Sequence, residues 1–212
     1  MSMQATGSVG DVTFIANGQR TSARLRVSPT QPDTAAQLTA RARMASAVAN
    51  YQILTHDQLM MWRAYVKGLR RTNRLGQVYT PNAYQVYIEY NLNLQQVGLS
   101  QIYEPPQDPV PYLFKAMSLT SQVVPFEKMR LAIPYYPVGA AGSKRAIYKA
   151  GPFSSPGRMP QNSEFKYRTA VTTIAYYDDY SVDAGSYYYY RVRLIDSFGR
   201  SSPIIEAGKI ID

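Results

Sequence analysis

The sequence predicts an α+β protein: an N-terminal β-hairpin with about three helices, followed by a C-terminal antiparallel β-sandwich. Three observations carry this prediction. An alternating segment containing Asn17-Gly18 opens the chain, apolar residues recur at helical spacing through three later segments, and short strand-like runs separated by turns fill the second half. The expected boundaries are residues 1–30 for a hairpin arm, 31–103 for a helical domain, 104–111 for a Pro-rich linker and 112–212 for the sandwich.

In the arm, Val12 and Phe14 fall on one face of the first strand. Asn17-Gly18 is read as the turn, because both central residues of a type I′ turn need positive φ. The returning strand alternates, with Thr21, Ala23, Leu25 and Val27 on one side and Arg20, Ser22, Arg24 and Arg26 on the other. Two strands alone are marginal in water, so the hairpin must pack on the helices or add to a neighbouring subunit.

A first helix is expected from Asp33 or Thr34, after the breaker 28–32. Leu38, Ala42, Ala45, Val48 and Ala49 form a thin stripe suited to close packing. Thr55 and Gln58 fit a capping box for a second helix, whose apolar line is Leu59, Trp62, Val66 and Leu69. Thr80-Pro81 suits the start of a third helix, with Ala83, Val86, Tyr87, Tyr90, Leu94 and Val97 on one stripe and Gly98 as its stop.

Four prolines fall within residues 104–111, a composition that favours a stiff extended linker. Beyond it, strands are expected at 114–120, 128–135, 145–150, 167–175, 187–195 and 204–211. In the fifth, alternation places Tyr188, Tyr190, Val192 and Leu194 on one face and Arg191 and Arg193 on the other.

The stretch from Asp178 through the Ala184-Gly185-Ser186 corner into Tyr187-Tyr-Tyr-Tyr-Arg-Val-Arg-Leu-Ile195 resembles the E–F corner and F strand of a fibronectin type III domain. That resemblance implies a fibronectin III/immunoglobulin-like sandwich in which Tyr188 anchors the corner and Tyr190 and Val192 fill the core. Such sandwiches are commonly binding or spacing modules, so the expectation is contact rather than catalysis. The front half has a resemblance of its own. Gly7-x-x-Gly10-x-Val12-x-Phe14, Pro32-Asp-Thr-Ala-Ala-Gln37, Leu54-Thr55, Trp62 and Asn91-x-Asn93-Leu94 together look like small proteins encoded in phage and prophage structural regions. This implies a virion component, made in the host cytoplasm, whose partners are other virion proteins and copies of itself in a symmetric assembly.

Composition narrows the alternatives. With no cysteine among 212 residues, disulfide scaffolds and thiolate metal sites are excluded. The first ten residues lack a basic region followed by an apolar run, so no secretory signal is expected, and no stretch has the apolar length for membrane insertion. The net charge of +9 favours anionic partners, and nineteen tyrosines suit partly wet interfaces.

Catalysis has little to draw on. His56 is the only histidine and sits beside the expected cap of the second helix, and neither a nucleophile elbow nor a P-loop is present. No catalytic residue, cofactor or metal is therefore expected. Asp178, Asp179 and Asp183 are the densest acidic cluster; they read as a solvated loop before the fifth strand rather than a calcium site or an acid/base pair. Arg20, Arg24 and Arg26 are candidates for gripping phosphates or an acidic neighbour. Arg70, Arg71 and Arg74 form a second candidate contact, although a helix C-terminus attracts cations by its dipole alone. Trp62, Tyr87 and Tyr90 read as core rather than a base-stacking platform. The expected function is a non-enzymatic structural virion protein of the capsid, neck or tail. Two alternatives remain: a nucleic-acid-binding protein using both basic segments, and a carbohydrate-binding accessory module.

Overall fold

The computed structural model describes residues 7–17, 20–25, 33–107, 120–124, 128–132, 142–155, 157–172 and 176–210. Two compact units, Met1–Thr39 and Ala40–Asp212, make up the chain. The architecture is mixed, with three α-helices and several antiparallel sheets.

The first unit holds a three-stranded sheet rather than the expected two-stranded hairpin. Strands β1 (Gly7–Val9), β2 (Val12–Asn17) and β3 (Arg20–Leu25) pair in that order. Val9 pairs with Val12, leaving Gly10-Asp11 as a two-residue turn that the sequence reading missed. Asn17 is a ladder residue opposite Arg20, not a turn residue. Val27 and Arg26 lie outside the described residues.

Helix α1 (Ala35–Gln52) opens with Thr34 accepting from the Gln37 amide at 3.3 Å while the Gln37 side chain accepts from the Thr34 amide at 3.2 Å. Of the stripe expected on this helix, Val48 alone packs against the core. Leu38 is half-exposed, Ala42, Ala45 and Ala49 are exposed, and Ala47 is the residue that is fully buried, flanked by Val48 and Tyr51. Alanines carry too little apolar surface to fix a helix's rotation against competition from Val48 and Tyr51.

Helix α2 (His56–Lys67) begins with the reciprocal Thr55–Gln58 capping box and buries Trp62, Tyr65 and Val66. Next comes a short hairpin, β4 (Arg71–Thr72) and β5 (Val78–Tyr79). Helix α3 (Ala83–Gln96) starts two residues later than expected: Asn82, not Thr80, is the cap, and Gln85 returns the bond to complete the box. At its other end Leu99 N donates to Leu94 O and Gly98 N to Gln95 O, a Schellman stop. All six expected stripe residues of α3 are buried.

The rings of Trp62, Tyr65, Tyr87 and Tyr90 meet edge-to-face, with Tyr51 joining against Tyr87, the favoured geometry for aromatic quadrupoles. Residues 101–107 lie on this core: Trp62 Nε1 donates to Tyr103 O at 2.8 Å, Asn91 brackets Ile102 through both its amide and carbonyl, and Pro106 is buried.

The second half forms two sheets. One has the order β10-β7-β6, from β6 (Thr120–Val124), β7 (Lys128–Ala132) and β10 (Tyr176–Asp179). The other has the order β12-β11-β8-β9, from β8 (Lys144–Phe153), β9 (Lys166–Val171), β11 (Tyr187–Ile195) and β12 (Ile205–Ile210). Met129 and Leu131 of the first sheet share a core with Ile147, Tyr188, Tyr190 and Val192 of the second. The strand expected at 114–120 lies outside the described residues except for Thr120. The one expected at 167–175 corresponds to β9, and β10 is an additional strand where the sequence predicts a loop.

The outer face of the four-stranded sheet meets the end of α3. Val97 packs on Ala146 and Ile195, and Lys144 Nζ donates to Val97 O at 2.8 Å. Asn93 Nδ2 donates to Gly199 O at 2.8 Å. Gly199 has φ of +81°, and a Cβ there would overlap the Tyr90 carbonyl. Gly185 offers an internal comparison, with φ of +72° but open space around it. Gly185→Ala should therefore cost about 1 kcal/mol from backbone strain alone, whereas Gly199→Ala should cost more than about 3 kcal/mol because α3 must also retreat. Urea midpoints measure both, and equal losses would show that the close approach to Tyr90 is not limiting.

Candidate functional site

The acidic cluster is only in part a solvated loop: Asp183 is exposed in the loop before β11, but the other two aspartates are not. Asp178 and Asp179 are in β10, so they face opposite ways and meet different cations. Asp178 accepts both Nε (2.7 Å) and Nη2 (2.8 Å) of Arg130, its ladder partner on β7. Asp179 points inward and is 3% exposed. There it pairs with Lys149 Nζ at 2.9 Å, accepts from Tyr190 Oη at 2.9 Å, and takes the amide and hydroxyl of Ser181 at 2.9 Å and 2.6 Å. Lys149 also donates to Ser181 O and stands 4.2 Å from the Tyr188 ring centroid. Tyr188 is 1% exposed; its hydroxyl donates to Asp183 Oδ2 at 2.9 Å and accepts the Asp183 amide at 3.0 Å.

Electrostatics follow from this bonding. Burial favours the neutral acid at Asp179, but the bonds from Ser181 and Lys149 outweigh it and hold the carboxyl down to about 2. Burial pulls the Lys149 ammonium below its ordinary value, and Asp179 offsets only part of that. The Tyr190 hydroxyl is pushed up by burial and by the Asp179 charge. A carboxylate so fully bonded has no lone pair positioned for a metal or a substrate proton. Among the described residues no group of three His, Cys, Asp or Glu side chains is placed to hold a metal ion. His56 is the exposed first residue of α2.

Of the two basic segments, the second is largely engaged within the chain. Arg70 Nη1 donates to Lys67 O, Leu69 O and the Thr80 hydroxyl, closing the end of α2. Arg71 pairs with Glu89 at 2.6 Å, and Arg74 is exposed beside Leu75, which is 82% exposed at the tip of the β4–β5 hairpin. In the first segment Arg24 is exposed on β3; the side chains of Arg20 and Arg26 are outside the described set. A cleft of about 800 Å³ lies between residues 101–107 and the turn carrying Phe198 and Arg200.

The N-terminal sheet carries the first basic segment on an open surface. Register places Val9, Val12 and Leu25 in one row and Gly7, Phe14 and Ala23 in the next, all on one face. Val9 is 74% exposed and Leu25 73%, and no described residue of the sheet is buried. Alternation in the sequence already set Val12 with Phe14 and Ala23 with Leu25; the register adds Gly7 and Val9 of β1 to the same face.

No protein-family model matches the chain, and no curated protein matches it. Among solved structures it is similar to pectate lyase Pel3 from Pectobacterium carotovorum (11% identity, TM-score 0.35, 44% of this chain and 26% of that one). A Fn3-like protein from Clostridium thermocellum gives 18% identity and TM-score 0.33, covering 44% of this chain and 88% of that one. Pectate lyase PelI from Erwinia chrysanthemi gives 13% identity and TM-score 0.32, with 43% and 28% covered. The chain thus spans about a quarter of the pectate lyases it matches, and these likenesses are weak. No helix among the described residues is long and apolar enough to cross a membrane.

Removing one partner of the buried pair leaves the other charge uncompensated, so Lys149→Met should cost about 3–5 kcal/mol, and adding Asp179→Leu should recover part of that loss. Because the folded pKa of Asp179 is depressed from 3.8 to about 2, its contribution is complete above pH 4 and is lost as pH falls through 2. Urea titrations across that range should show a fall in stability that Asp179→Asn removes; an identical fall in the variant would assign the acid sensitivity to other groups.

Proposed function

We propose that this chain is a structural protein of a bacterial virus particle, a capsid, neck or tail component that acts through protein–protein contacts and not as an enzyme. The observation that carries the reading is the N-terminal sheet, whose apolar face is open to solvent at Val9 and Leu25. Three short strands that bury none of their described residues are marginal alone, so a surface of this kind is completed by a neighbour. The resemblance of the front half to phage and prophage structural proteins supplies the kind of assembly. In the other half, the orders β12-β11-β8-β9 and β10-β7-β6 and the Tyr188–Asp183 bonds support a fibronectin type III-like sandwich with Tyr188 at its corner. Such a module presents or bridges. The carboxylates that offered acid/base chemistry, Asp178 and Asp179, are committed to Arg130 and Lys149, which also favours a structural role.

Nucleic-acid binding is the weaker alternative, since Arg70 and Arg71 are engaged within the chain. Steep loss of DNA binding with salt would revive it.

Deleting residues 7–25 should leave the urea transition of the remaining chain intact while stripping the protein from purified particles. Normal copy number of the truncated chain in particles would end the contact-arm reading.

A further inference from the structure

We infer that the apolar face of the N-terminal sheet is a homotypic contact, covered by the same face of a second copy around a two-fold axis. The inference rests on the reading of this sheet as a contact arm and specifies its occupant.

Two features of the face favour its own copy, and a third sets the strength of the pairing. Charge is kept away from it: Arg24 pairs with Thr13, and both belong to the opposite face, where Thr13 also shares a hydrogen bond with Ser8. Two copies can therefore stack these faces without bringing like charges together, whereas an anionic partner would be drawn to the other side. Shape is self-complementary as well. Phe14, on the central strand, is flanked in its own row by Gly7 and Ala23, so a bulky ring stands beside two shallow positions on one surface. A two-fold operation sets each ring against the other copy's shallow positions, the condition an isologous interface requires. Length matters too. Three strands of this size offer roughly 250 Å² per copy, far below the ~800 Å² per partner of a stable interface. The pairing of isolated chains is consequently a reversible dimer that forms toward high concentration, and it gains strength where an assembly holds many arms close together.

Because the chain has no cysteine, single substitutions give unique cross-linking sites. Val12 and Thr13 are adjacent on the central strand but on opposite faces. Full-length Val12→Cys and Thr13→Cys would be treated with a bis-maleimide reaching about 10 Å, the spacing of stacked sheets. Val12→Cys should give covalent dimer at least about ten-fold faster than Thr13→Cys, and adding Leu25→Asp to Val12→Cys should return the rate to background. Wild-type chain should also show reversible dimer by sedimentation velocity over roughly a hundred-fold concentration range. Equal cross-linking at the two positions, or a monomer throughout, overturns the homotypic contact. If the pairing fails while deletion of 7–25 still strips particles, the arm binds a different virion protein and only this inference falls. If the pairing holds but the truncated chain incorporates normally, the contact-arm role in particles falls instead.

Discussion

A lysine and an aspartate placed in an interior lined by tyrosines constrain the whole C-terminal half. Lys149 belongs to β8 and Asp179 to β10, so their 2.9 Å pair spans the two sheets. Tyr190 on β11 adds its hydroxyl to the same carboxylate, and Ser181 closes the remaining lone pairs. The arrangement satisfies the rule for burying charge: neither ion is left alone, and each oxygen of Asp179 has donors. Its value is positional. The pair fixes which strand of one sheet faces which strand of the other, something that the apolar residues around it, Met129, Leu131 and Ile147, would not specify by themselves.

A second constraint joins this half to the helices. The turn after β11 is held by Asp196, which accepts the amides of Phe198 and Arg200 and the Arg200 guanidinium. That closure presents Gly199 to α3, where Tyr90 leaves no room for a side chain and Asn93 bonds the Gly199 carbonyl. On the far side of α3, Asn91 and Trp62 hold residues 102 and 103 against the aromatic core. Within the second unit the start of the Pro-rich stretch is thus packed, and the polar residues of α3 serve as its fasteners.

The N-terminal sheet contrasts with all of this. Its three strands pair in register, yet none of its described residues is buried.

Local rules made much of the fold legible in the sequence. The period-two run placed β11 at residues 187–195, the Thr55–Gln58 box set the start of α2, and six apolar residues at helical spacing defined the packed face of α3. In each case the information lies within a few residues, where backbone geometry and side-chain direction are coupled. Other features depended on distance. Asp179 became a buried partner because Lys149, thirty positions earlier, arrives on the facing sheet. Arg71 was neutralised by Glu89 through the α2–α3 hairpin, and the Val9–Val12 pairing turned an expected hairpin into three strands. The Ala-rich stripe of α1 stayed uncovered for the same reason. The sequence by itself determined the three helices and the long strands, and the apolar sides of α3 and β11; only the tertiary structure decided the short added strands and what each side meets, because charge pairing and burial depend on neighbours that the chain brings together from far along its length.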